Sequence, residues 1–122
     1  MVFSSNLFDA TVCIAVLHHL STEEHRLQAV KNLVRITKPG GEILISVWAL
    51  EQDDSSKRQF EQQDVIVPWK SGSKENPTVF QRYCHVYKEG ELSQLCLKVP
   101  NVEVLESFYD HSNWCVRIKK LK

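Results

Sequence analysis

Two nearly continuous apolar segments, separated by one amphipathic segment, most constrain the fold of this chain. The first runs from Phe8 to Leu17 and the second from Glu42 to Trp48, and both are rich in β-branched residues. Such runs are typical of strands that are buried on both faces of a parallel sheet. We therefore expect two parallel strands within an α/β fold.

The segment between these two strands has the pattern of a helix with defined ends. Ser21, followed three residues later by Glu24, predicts a capping box at the helix start. Lys38-Pro39-Gly40-Gly41 predicts the end of the helix. Apolar residues recur between them at helical spacing: Leu27, Val30, Leu33 and Val34. A strand, a helix and a strand in this order predict a βαβ unit with a right-handed crossover.

The middle of the chain has a weaker pattern. Residues 49–63 are polar and indicate a surface loop. Asp64 to Trp69 is a short apolar island that Pro68 should end, and 70–77 has the composition of a linker. The apolar spacing from about Tyr83 to Lys98 predicts a second helix.

The last third of the chain predicts two more strands, Val102–Tyr109 and Trp114–Leu121. The turn between them is short enough for an antiparallel hairpin. The expected architecture is therefore two parallel strands followed by an antiparallel C-terminal hairpin. That order is unusual for a plain doubly wound sheet.

Charge and cysteine content narrow the possible partners and locations. Lys plus Arg equals Asp plus Glu at 15 each, so any contact with nucleic acid must come from a local patch. No apolar run reaches the ~20 residues of a membrane span, and the N-terminus does not resemble a signal peptide. The four cysteines are scattered, which argues against a zinc site and a disulfide framework. Reduced thiols are typical of the cytoplasm or the nucleus.

Several motifs resemble a known enzyme family. FDATVCIAVLHHL (Phe8–Leu20) and KPGGEILISVWA (Lys38–Ala49) look like strands four and five of the class I S-adenosylmethionine-dependent methyltransferases. Five further short motifs resemble those of the tRNA (5-carboxymethyluridine-34) O-methyltransferases, both AlkB-fused animal enzymes and stand-alone fungal ones. These motifs are Trp48–Gln52, Gln63–Trp69, Arg82–Tyr87, Glu89–Leu92 and Asn113–Cys115.

The resemblance implies that residues 1–122 are a partial methyltransferase domain, the C-terminal half of a Rossmann-like sheet from strand four onward. The N-terminal half that grips the cofactor in this family is then absent. The chain's only glycines are Gly40, Gly41, Gly72 and Gly90, so it has no glycine-rich cofactor loop. We therefore expect this chain alone to bind S-adenosylmethionine weakly or not at all.

The family reaction implied by the resemblance forms the methyl ester of 5-carboxymethyluridine at the tRNA wobble position. A carboxylate, with a pKa near ~4, is already ionised at neutral pH and needs no general base. The site must instead orient the carboxylate toward the methyl donor. The implied partners are the tRNA anticodon loop and a small zinc-containing activator subunit of the methyltransferase.

The resemblance also implies which residues act. The expected catalytic residues are His18, His19 and Arg82, and the expected cofactor contacts are Ala15, Val16 and His19. The expected substrate contacts are Trp48, Arg82, Tyr83, His85, Tyr87, Asn113 and Trp114. Structural roles are the alternatives: a histidine that caps the following helix, a core tryptophan and a surface aromatic patch.

Two other functions are compatible with the sequence. The absent glycine loop favours a non-catalytic methyltransferase-like scaffold module that pairs with another chain. A class I methyltransferase with a small-molecule substrate is the third possibility, and the Arg82–Tyr87 and Asp64–Trp69 motifs argue against it.

Overall fold

A computed structural model describes residues 5–14, 17–20, 22–56, 59–72 and 77–122, with backbone alone for His18, 69–72 and 77–80. In chain order, the elements are β1 (Phe8–Ile14), a 3₁₀ turn (Leu17–His19), α1 (Glu23–Ile36), β2 (Thr37–Trp48), β3 (Asp64–Gly72), β4 (Pro77–His85), α2 (Glu91–Leu97), β5 (Val102–Asp110) and β6 (Asn113–Lys120). In these described residues, no helix is long and apolar enough to cross a membrane.

A four-stranded mixed sheet organises the chain in the order β1-β2-β6-β5. β1 and β2 are parallel, and β6 is antiparallel to both β2 and β5. The expected parallel pair and C-terminal hairpin are therefore confirmed. β6 lies between β2 and β5, so the hairpin extends the sheet that the βαβ unit begins.

The helix between the parallel strands begins one residue later than the sequence predicted. Thr22, not Ser21, is the N-cap, and its hydroxyl accepts a hydrogen bond from the backbone N–H of His25 at 3.1 Å. Glu23 and Glu24 occupy the first turn, where acidic side chains interact favourably with the helix dipole. The helix ends at Ile36, earlier than expected, because Thr37 is already extended and starts β2.

The hydrophobic core lies on one face of the sheet. Three alternate residues of β2 point into it: Ile43, Ile45 and Val47. Cys13 is the core residue of β1, whereas Val12 and Ile14 are 59% and 61% exposed. The prediction that β1 is buried on both faces was therefore wrong, because α1 and α2 cover one face only.

A second, two-stranded sheet forms where the sequence predicted a short apolar segment, a linker and the start of a helix. β3 pairs with β4 in an antiparallel register that runs from Asp64 opposite His85 to Gly72 opposite Pro77. Pro68 does not end β3, because in a two-stranded sheet one edge of each strand needs no hydrogen bonds. The second helix begins only at Glu91, after Gly90 in a left-handed conformation with φ of 80°.

Gly40 and Gly41, which precede the apolar part of β2, have different structural roles. A Cβ atom at Gly41 would lie 2.6 Å from the Asp9 carbonyl oxygen and 2.9 Å from that of Lys38. A Cβ at Gly40 would meet nothing within 4 Å, although its φ of +84° favours glycine. Gly41 therefore permits the close approach of β1 and β2.

Gly41→Ala should destabilise the chain more than Gly40→Ala. We expect a loss of ~2–3 kcal/mol in the free energy of unfolding for Gly41→Ala, since its Cβ would clash with fixed backbone. Gly40→Ala should cost ~1–2 kcal/mol, the cost of a left-handed alanine. Urea unfolding of both variants measures the difference, and equal losses would contradict the assigned role of Gly41.

Candidate functional site

An aromatic cluster lies at the carboxyl ends of β1 and β2, where ligands bind in open α/β sheets. Trp48 is the last residue of β2, and His19 ends the 3₁₀ turn that follows β1. Their ring centroids are 6.2 Å apart in an edge-on arrangement. The ring of Phe60 stacks on Trp48 with a centroid distance of 6.4 Å. His19 and Trp48 were both predicted from the sequence as site residues, whereas Phe60, which lies in the polar loop, was not.

β4 contacts this cluster on the side of His19. Nδ1 of His19 lies 3.4 Å from the carbonyl oxygen of Tyr83 and 3.6 Å from Sγ of Cys84. The same ring nitrogen therefore faces a carbonyl acceptor and a thiol on β4. Cys84 is buried, like the other three cysteines, and all four are free thiols.

The alternation of side chains along β4 separates the predicted substrate residues. Arg82 and Cys84 lie on the face of the hairpin that meets His19, and Arg82 is exposed. Tyr83 and His85 lie on the opposite face, where both contact the carboxylate of Asp64. Among the predicted substrate residues of this motif, Arg82 is thus the one that strand alternation puts on the same face as Cys84, which contacts His19.

His85 is the centre of an ionic cluster in which its own side chain is buried and that of Asp64 is exposed. Its Nδ1 is 3.0 Å from Oδ1 of Asp64, and its Nε2 is 2.5 Å from Oε2 of Glu91. Glu91 also accepts hydrogen bonds from the Gln63 side chain and from the backbone N–H of Lys88. These contacts join β3, β4 and the start of α2 through one imidazole ring.

The charges in this cluster stabilise one another. The hydrogen bond to Glu91 raises the pKa of His85, and the contact with Asp64 adds to this effect against the opposing influence of burial. Hydrogen bonds from Tyr83 and His85 lower the pKa of Asp64. Burial alone would raise the pKa of Glu91, but the hydrogen bonds from His85 and Lys88 lower it on balance. The imidazolium form of His85 is therefore favoured between two carboxylates.

Tyr87 connects the hairpin to the end of β2. Its backbone N–H donates to the carbonyl of Trp48 at 2.9 Å, and its carbonyl accepts from the N–H of Leu50 at 2.8 Å. Its side chain has no exposed surface, and burial raises the pKa of its hydroxyl. The predicted substrate contact by Tyr87 does not agree with this location. The residue instead fixes the position of Trp48 through the backbone.

Asn113 and Trp114 follow the β5–β6 turn and point to opposite faces of the sheet. Asn113 is paired with Trp48 across the strands and lines a polar cleft beside it. Nε1 of Trp114 donates to Oε2 of Glu51 at 2.6 Å, and its ring packs against the core. Asn113 is therefore in reach of a ligand at Trp48, whereas Trp114 anchors the loop after β2.

Three of the predicted site residues are not covered by these observations. Ala15 and Val16 lie outside the described residues, and the side chain of His18 is not described. Their proposed contacts with the cofactor and the substrate remain predictions. The described part of the candidate site thus consists of His19 and Trp48, with Phe60, Cys84 and Asn113 around them.

The sequence is similar to that of named proteins over most of the chain. A family described as "Methyltransferase domain" matches residues 1–45. A Schizosaccharomyces pombe tRNA (carboxymethyluridine(34)-5-O)-methyltransferase is 38% identical over 95% of this chain and 58% of its own length. The Xenopus tropicalis protein of the same name is 32% identical over 98% of this chain and 27% of its own length. The chain therefore spans between about a quarter and three fifths of these relatives.

Solved structures agree with the assigned fold. An S-adenosylmethionine-dependent methyltransferase from Clostridium acetobutylicum covers 100% of this chain with a TM-score of 0.72 and 13% identity, and 62% of that protein is matched. A Burkholderia thailandensis didemethyltoxoflavin N1-methyltransferase covers 99% with a TM-score of 0.63 and 16% identity, and 47% of it is matched. The fold is that of part of a class I methyltransferase.

The ionic cluster predicts a specific pH dependence of stability. The raised pKa of His85 adds stability that is fully present below its unfolded pKa near ~6.5 and is lost as pH rises through the folded pKa. Asp64 and Glu91, with lowered pKa values, add stability above their unfolded pKa values near ~4 that is lost as pH falls. The cluster should therefore contribute most between these limits.

His85→Gln should lower the free energy of unfolding by ~1.5–3 kcal/mol at about pH 6, where charged hydrogen bonds are lost. This difference from wild type should shrink toward about pH 9. Urea unfolding across this range measures it, with the exposed His25→Gln as the matched control. A difference that stays constant with pH would show that folding does not raise the pKa of His85.

Proposed function

Because this chain is a relative of the tRNA (carboxymethyluridine(34)-5-O)-methyltransferases over most of its own length, we propose that it shares their reaction. It would act as part of an enzyme that methylates the carboxylate of 5-carboxymethyluridine at the tRNA wobble position. The observation that carries this proposal is the contact of His19 with Trp48 and with β4 at the carboxyl ends of the parallel strands.

The acceptor carboxylate requires orientation and not deprotonation. Its pKa near ~4 leaves it ionised at neutral pH, so a methyl group can be accepted without a general base. Arg82 is exposed on the His19 side of β4, and a guanidinium can hold a carboxylate or a phosphate with two parallel hydrogen bonds. Trp48 offers a flat apolar surface for a base, a contact worth ~1–3 kcal/mol. His18, His19 and Arg82 are the proposed catalytic residues.

S-adenosylmethionine is the proposed cofactor, and when bound it supplies the methyl group. The described residues fit this cofactor only in part. His19 lies at the carboxyl end of β1, where the methyl donor would be reached. The four glycines lie at Gly40, Gly41, Gly72 and Gly90, none of them in the segment from β1 to α1. We propose that Trp48 and Arg82 act on the acceptor side of the reaction.

The proposed macromolecular partner is the tRNA anticodon loop. The balanced charge of the chain favours a local contact at the aromatic cluster over a broad basic surface. The small zinc-containing activator subunit and a location in the cytoplasm or the nucleus are further parts of the proposal. They rest on the family resemblance and on the free cysteines, respectively.

A non-catalytic scaffold module is the second candidate function. It is compatible with the described contacts, because the ionic cluster at His85 and the contacts of Trp48 would also order a surface that only binds a partner. The scaffold and the enzyme differ in one experimental outcome. A scaffold binds tRNA or a partner chain, but it transfers no methyl group when the N-terminal segment of the fission yeast relative is supplied.

Arg82→Ala should impair methyl transfer in that complemented enzyme. We expect kcat/KM to fall by about 10- to 100-fold, since a charge-assisted hydrogen bond to the substrate is worth ~1.5–3 kcal/mol. Transfer of labelled methyl groups to tRNA bearing 5-carboxymethyluridine measures the effect. Lys122→Ala removes an exposed charge elsewhere and serves as the control. Equal activity of Arg82→Ala and the control would remove Arg82 from the site.

A further inference from the structure

A polar cleft of about 310 Å³ lies beside Trp48. Its walls come from the end of β2, the loop of residues 49–56 and the β5–β6 turn. Trp48, Asp53 and Asn113 all line it. This volume is at the lower end of the ~300–1,000 Å³ typical of ligand pockets.

The loop that forms one wall is fastened to the turn that forms the other. The backbone N–H of Asp53 donates to Oγ of Ser112 at 2.9 Å. Nε2 of Gln52 donates to the carbonyls of Ala49 and Ser112 at 2.6 and 3.2 Å. The cleft therefore exists without a ligand, and binding there requires little ordering of the loop.

The cleft combines a flat apolar ring with a hydrogen-bond acceptor. Phe60 stacks on one face of the Trp48 indole, so a base would stack on the other face, a contact that any base can make. The hydroxyl of Tyr109 shares its single proton between the Glu51 carbonyl at 2.7 Å and one carboxylate oxygen of Asp53 at 2.9 Å. A carboxylate has about four lone-pair positions, so Asp53 keeps the capacity to accept from a ligand hydroxyl.

The charge of the cleft excludes some ligands. Asp53 would repel a phosphate or the carboxymethyl group of the substrate in direct contact with it, so the phosphates of a bound nucleoside must point out of the cleft. A neutral group that donates hydrogen bonds and carries an aromatic ring fits both features. A ribonucleoside has both, since its 2′-hydroxyl is a donor that carboxylates often bind.

We propose that this cleft binds one ribonucleoside of the RNA substrate, with its base on Trp48 and its 2′-hydroxyl donating to Asp53. This inference rests on the proposed function and adds a determinant of specificity to it. The 2′-hydroxyl is the group by which a protein distinguishes RNA from DNA. Asp53 is then the residue that makes the chain selective for RNA.

The test compares two ligands and three proteins. The ligands are a fluorescein-labelled anticodon stem–loop RNA and the same molecule with 2′-deoxynucleotides throughout the loop. Wild type should bind the all-RNA ligand about tenfold more tightly, the value of one hydrogen bond to a charged group. Asp53→Ala, which removes the acceptor, should lose this preference. Tyr109→Phe removes the neighbouring hydroxyl but keeps the carboxylate, so it should retain the preference even if its affinity falls.

Every other binding result contradicts either the ribose contact or the proposed function. Equal binding of both ligands by wild type, or an unchanged preference in Asp53→Ala, overturns the ribose contact and leaves the proposed function intact. Complete competition by S-adenosylhomocysteine also overturns it, because the cleft would then hold the ribose of the cofactor. Absence of RNA binding by the wild-type chain contradicts the proposed function itself, and the inference then fails with it. If wild type and the two variants have equal thermal stability, a difference in RNA binding does not come from misfolding of a variant.

Discussion

The interaction on which the candidate site depends is the pairing of His85 with two carboxylates. The β3–β4 hairpin shares no strand with the main sheet. Asp64 lies at one end of that hairpin and Glu91 begins α2, so the imidazole of His85 joins the hairpin to the body of the chain. The side chains of His85 and Glu91 are 8% and 23% exposed, so removing one of them leaves the other poorly compensated, which is costly. The hairpin therefore has one defined position relative to the sheet.

That position determines what surrounds the end of β2. Because β4 is held in place, the Tyr83 carbonyl meets His19 and the Tyr87 backbone meets Trp48. The other side of Trp48 is bounded by a loop that Glu51 and Asp53 fasten to the β5–β6 hairpin. An ionic cluster and a hydrogen-bonded loop thus hold a small aromatic site between them. Such rigidity suits a reaction in which orientation, and not proton transfer, is required.

The sequence predicted those parts of the fold whose signals are local. The β-branched run in β1 and the short turn between β5 and β6 identify strands without knowledge of their partners. The β3–β4 hairpin was missed because Pro68 interrupts the strand pattern and because strand pairing over some 20 residues has no local signal. Ligands bind at the carboxyl ends of parallel strands, and this rule predicted that His19 and Trp48 lie at the same edge of the sheet. Asp53 was missed because its role depends on a contact with Tyr109, 56 residues away.

The central claim is that RNA binds at Trp48 and not on the opposite face of the sheet. The indole N–H signals of the three tryptophans in a ¹H–¹⁵N NMR spectrum test it directly, with Trp48→Phe to assign one of them. On addition of an anticodon stem–loop RNA, the Trp48 signal should shift or broaden. The Trp114 signal, whose N–H is bound to Glu51, should stay in place. A shift of Trp114 without any change at Trp48 would contradict the account.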